Sequence, residues 1–101
     1  MDDAQISGIL DRYPDLVAEA QRKFKTATLE RERLEAKTYL RLKAQAVGGE
    51  KLTVEDLKSK VRSEDDCYKA NLEEIMFEAD WTKLYEKLLA AKTMARMRGA
   101  F

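Results

Sequence analysis

Arg33, Lys37 and Arg41 recur at every fourth position, and Lys43 follows two residues later. A spacing of four puts the first three on one face of a helix. Such a row of fixed cations can hold phosphate or carboxylate groups without doing covalent chemistry. Tyr39 lies between Lys37 and Arg41. Its ring can stack on an unpaired base or fill a core or interface. A second basic cluster, Lys58, Lys60 and Arg62, follows in "KSKVR". Its charges cannot all share one helical face, because residues two apart diverge.

The usual catalytic constellations are missing. The chain has no histidine and a single cysteine, Cys67. That excludes a histidine-based triad, a histidine metal site and a thiolate zinc site within one chain. Cys67 reads as a small apolar residue, and without partner cysteines a reducing, cytoplasmic setting fits best. The paired glycines Gly48-Gly49 are not followed by the Lys-Ser or Lys-Thr of a phosphate loop. Asp65-Asp66 and Glu73-Glu74 are adjacent pairs, which point apart on a helix and make no carboxylate dyad. An enzyme is not expected, nor is a cofactor or a bound metal.

The formal net charge is zero, yet the charges are segregated along the chain. Residues 20–47 carry a net +5, residues 63–80 a net −6, and residues 81–101 a net +4. Two explanations compete. In one, an antiparallel pairing brings Lys37, Arg41 and Lys43 against the acids between Glu64 and Glu74. Each exposed pair then contributes about 0–1 kcal/mol, and the set fixes register. In the other, the cations point outward and meet phosphates.

The elements that position these residues are helical. Ala, Leu, Glu, Lys and Arg are abundant, while the chain has four glycines and one proline. The pattern predicts a short N-terminal helix within residues 1–13, separated by Pro14 from a long helix over 14–47. Leu16, Val17, Ala20, Phe24 and Ala27 mark the apolar face of its first half. Leu29, Ala36, Leu40 and Val47 mark a drifting face in its second. "GGE" from Gly48 stops it. A turn and a short helix fill 48–62, opened by Thr53 and Asp56 at capping-box spacing. "SEDD" supplies an N-cap at Ser63 and an acidic first turn for a second long helix over 63–98. The acidic N-terminus has no basic leader, so no signal peptide is expected. No window is apolar enough for a membrane span.

Phe77, Trp81, Leu84, Leu88 and Ala91 follow a 4-3-4-3 spacing, a coiled-coil-like seam that Tyr85, Leu89 and Ile75 widen. The expected fold is all-α: two long helices in an antiparallel hairpin with short accessory helices. One hairpin of 101 residues buries little core. Tyr68, Leu72 and Ile75 add a further apolar flank, and so wide a stripe asks for more than one partner helix. Assembly into a homo-oligomer is therefore expected, with Phe77, Trp81, Leu84, Tyr85 and Leu88 at the interface. A monomeric three-helix bundle is the competing arrangement.

Arg33-Leu34-Glu35-Ala36 followed by Leu42-Lys43-Ala44 resembles a segment of the UvsY family, the recombination mediators of large lytic phages. There a basic residue, a branched aliphatic, Glu and Ala precede a basic helical run with Leu-Lys-Ala and a glycine-containing loop. The later layout is also similar: an acidic helix start, a tryptophan in an apolar helix, and a basic end that holds Lys92, Met94, Ala95 and Arg98. Thr38-Tyr39-Leu40 departs from the family pattern by being less basic. The resemblance implies a non-enzymatic ring that binds single-stranded DNA. It further implies help in loading a RecA-like recombinase onto strands coated by single-stranded-DNA-binding protein, in the host cytoplasm. Carried over by position, the DNA contacts fall on Lys37, Arg41 and Lys43, with Arg33 beside them. Tyr39, Lys58, Lys60 and Arg62 complete the candidate set by residue type. The alternative is a small helical adaptor or inhibitor whose charged faces bind another protein.

Overall fold

The computed structural model describes residues 1–45 and 53–99. It contains three helices, α1 (Asp3–Gln45), α2 (Val54–Ser63) and α3 (Asp65–Met97), and no strand among the described residues. The architecture is an all-α hairpin in which α1 packs against α3. The expected stop at Gly48-Gly49, and Val47 before it, lie outside the described residues.

Helix ends are set by local polar groups. At the start of α1, the Gln5 backbone N–H donates to Asp2 Oδ1 at 2.7 Å, and the Asp2 N–H donates to Gln5 Oε1 at 2.9 Å. This is a reciprocal cap that satisfies two otherwise orphaned donors. The box at Thr53 and Asp56 forms as its spacing indicates, with bonds of 3.1 and 3.2 Å. Ser63 does not cap α3. It closes α2, and its hydroxyl donates to the Lys60 carbonyl at 2.8 Å. Glu64 takes the extended cap conformation instead, and its carbonyl accepts the first α3 bond from the Tyr68 N–H. Gly99, at φ 66°, adopts the left-handed conformation that favours glycine just past α3.

Pro14 does not divide the first helix; α1 runs through it without a break. An interior proline loses one backbone bond and costs about 3 kcal/mol. Burial on both sides offsets that cost. Ile6 and Ile9 before Pro14 are buried, and Leu10, Tyr13 and Val17 around it pack against the same core. Pro14 itself is on the exposed side, where solvent can satisfy the Leu10 carbonyl it leaves unbonded.

The chain forms two compact units, Met1–Phe24 with Met76–Phe101, and Lys25–Ile75. The first is built on Ile6, Ile9, Leu88, Ala91 and Ala95. Ala91 has no exposed surface, which lets the two backbones approach closely. In the same unit Trp81 stacks on Phe24 with ring centroids 5.6 Å apart, and Tyr85 tilts against Trp81. Arg98 bonds Asp3 and the Met1 carbonyl, joining the ends of the two helices.

The second unit buries Ala27, Leu57, Val61 and Cys67. On α1, Arg31 and Thr38 meet α3, and the half-buried Leu34 and Leu42 fall on the same helical spacing, while Leu29, Ala36 and Leu40 do not. Arg31 reaches Glu74 at 2.9 Å, and Thr38 Oγ1 lies 3.4 Å from Cys67 Sγ. Leu29 and Leu40 are instead 67% and 66% exposed. The inward positions continue the spacing of Ala20, Phe24 and Ala27, but two of them are polar, so the apolar pattern drifts off the true seam.

Candidate nucleic-acid interface

The second unit divides the basic candidates among three environments. Among the described residues, Arg41 is tied to an acid of its own hairpin, Glu64, at 3.3 Å, and both side chains stay about half exposed. Such a pair is worth at most about 1 kcal/mol and can open. Arg33, Lys37 and Lys43 are exposed and meet no acid within ion-pair distance among the described residues. The acid-pairing explanation thus accounts for Arg41, and for Arg31 with Glu74, but not for Lys37 or Lys43.

Tyr39, Lys58 and Arg62 come together. They line one groove of about 300 Å³ with Glu32, Glu35, Ala36 and Val61. α2 places them there: Leu57 and Val61 bury its apolar side, and Lys58 and Arg62, four apart, share the flank toward α1. Lys60 lies outside this groove, as two-residue spacing requires. Tyr39 is half-buried in the groove wall. Lys37 sits two residues away on α1, about 200° around the helix, and so points elsewhere.

The electrostatics of the groove depend on Arg31. Its guanidinium holds Glu35 at 3.0 Å as well as Glu74 at 2.9 Å. The Arg31 pKa lies above its ordinary value, first through the hydrogen bond to Glu74 and further through Glu35, against the opposing effect of partial burial. Arg31 therefore stays charged and balances Glu35. Glu32 is the remaining acid against Lys58 and Arg62, so the walls are mildly cationic around an aromatic ring.

The expected interface residues of α3 are placed differently. Leu88 is 5% exposed inside the first unit's core, so it has no surface left for another subunit. Phe77, Trp81 and Leu84 are half-buried, and Trp81 already stacks on Phe24 of its own chain. Tyr85 remains 45% exposed. The seam that looked intermolecular is largely the intramolecular contact.

One feature escapes the sequence pattern. In the first unit, Tyr13, Phe77 and Leu84 with Lys23, Lys83 and Lys87 line a groove of about 510 Å³. Lys87 Nζ lies 5.4 Å from the centre of the Tyr13 ring, and Lys23 is 3.7 Å from Glu19. Lys23 comes from a different helix than Lys83 and Lys87, so only the i, i+4 spacing of that pair signals it. Among the described residues no cluster of acids and cysteine has metal-site geometry. No helix of the described residues is long and apolar enough to cross a membrane. Compared with known protein-family models, curated proteins and solved structures, the chain matches none.

Proposed function

We propose that the protein is a non-enzymatic, homo-oligomeric binder of single-stranded DNA, acting as a recombination mediator of the UvsY type. One observation carries the binding reading: Tyr39, Lys58 and Arg62, from two helices, share the walls of a single groove. Cations beside an aromatic face are the combination that holds an unpaired strand, through phosphate contacts and sequence-tolerant stacking. Lys43, exposed and unpaired among the described residues, extends the basic surface. A chain of zero net charge holds a polyanion weakly, so several copies must act along one strand. In this reading the strand-bound oligomer helps a RecA-like recombinase displace single-stranded-DNA-binding protein.

The test is titration of a labelled single strand at several salt concentrations. Affinity should fall linearly on a log–log plot, with a slope of about −0.7 per phosphate neutralised. Lys58→Ala with Arg62→Ala should flatten that slope and weaken unrelated sequences equally. Tyr39→Leu should cost about 1–3 kcal/mol at unchanged slope. No binding at low salt defeats the reading. It would leave a helical adaptor or inhibitor that binds another protein.

A further inference from the structure

We infer that the first unit also holds an unpaired strand, in its groove between α1 and α3, where Lys83 and Lys87 stand beside Leu16, Phe77 and Leu84. The inference rests on the strand-binding reading above. It adds a second contact site on the same chain.

Two matching rows build the groove. Tyr13, Leu16, Ala20 and Lys23 follow a 3-4-3 spacing on α1, and Phe77, Asp80, Leu84 and Lys87 follow the same spacing on α3. Each row is one helical face, so both helices turn a mixed apolar and charged side to the same space. Ala20 is buried and small, and longer side chains around it wall a space of about 510 Å³. Leu16 is 43% exposed, and Phe77 and Leu84 are half-buried, so the groove keeps apolar surface in contact with water.

Charge gives the occupant. Lys83 and Lys87 are exposed and meet no acid within ion-pair distance among the described residues. The Tyr13 ring face, 5.4 Å from Lys87 Nζ, holds that cation at the groove wall without neutralising it. Lys23 differs: Glu19 lies 3.7 Å away and the pair cancels. Asp80 is then the lining acid set against Lys83 and Lys87, so the groove favours an anion. A nucleotide supplies both partners the walls ask for, a phosphate for the lysines and a flat base for Phe77 and the leucines. The charged residues of the groove are all exposed, so they hold a lone phosphate weakly. A strand whose other phosphates are already bound brings the next nucleotide in at high effective concentration.

The salt dependence of strand binding by the full chain tests this. Lys83→Ala with Lys87→Ala should weaken binding at low salt and reduce the log–log slope by about 1.4, two phosphates at about 0.7 each. Lys92→Ala with Arg96→Ala removes the same charge at the same spacing from the same helix, outside the groove, and should keep the wild-type slope. Asp80→Asn should instead strengthen binding. All five positions are exposed, so helical circular dichroism should be unchanged. The groove is not a strand site if the Lys83 and Lys87 change keeps the slope, if the Lys92 and Arg96 change lowers it equally, or if Asp80→Asn weakens binding; the reading built on Lys58 and Arg62 then stands on its own variant. Saturable binding of a free mononucleotide that Lys83 and Lys87 alone support, with the strand slope unchanged, would assign the groove to the free nucleotide and overturn the inference. A wild type that binds no strand at low salt removes the strand-binding reading itself, and this inference with it.

Discussion

Arg31 donates to Glu74 at 2.9 Å while the same guanidinium holds Glu35 at 3.0 Å. One arginine of the basic stretch therefore fixes α1 against the acidic start of α3, with its side chain 22% exposed. The apolar pattern offers no seam there, and this polar clamp stands in its place.

Removing that clamp should leave two partly buried carboxylates without a cation. Arg31→Met is expected to cost about 1.5–3 kcal/mol, the range for hydrogen bonds to charged groups. The raised Arg31 pKa means the wild-type contribution is present throughout the range below ordinary arginine titration, and is lost only in strong alkali. Denaturant midpoints of wild type and variant, which should differ by the same amount from neutral to moderately alkaline pH, check both statements.

Pro14 gives a prediction of opposite sign. Its interior position costs about 3 kcal/mol, against about 1 kcal/mol gained by stiffening the unfolded chain. Pro14→Ala should therefore raise stability by about 2 kcal/mol. Thermal unfolding would show it as a higher midpoint, and an unchanged or lower midpoint would mean that α1 is not continuous through this position.

The fold class was legible because helix formers crowd a chain with one proline, and because the Phe77-to-Ala91 stripe keeps a heptad spacing. The cap at Thr53 was legible for the same local reason. What failed to show needed tertiary information. Ile6 and Ile9 lie before a proline, where local rules end a helix, yet their burial keeps α1 whole. Leu29 and Leu40 look like core until Arg31 and Thr38 are seen to occupy the inward positions. Of the candidate site, spacing alone separated Lys60 from Lys58 and Arg62. No spacing rule could place Tyr39 beside them, since that contact depends on how α2 folds back.

Cys67 reports on the second unit. It is 1% exposed, with Sγ 3.4 Å from the Thr38 hydroxyl. A thiol this enclosed should resist an aromatic disulfide reagent in the native protein and react only as the unit opens. Its labelling rate should rise with denaturant in step with loss of helicity. Fast labelling of the native protein would show that α1 and α3 do not pack together there.

The central claim is that several copies pool weak cationic grooves on one unpaired strand. Native mass of the wild-type protein, with and without a single-stranded oligonucleotide at low salt, reads assembly and binding at once. The expected result is an oligomer that gains the mass of one strand and loses it as salt rises. A monomer whose mass does not change when the strand is added would contradict the account.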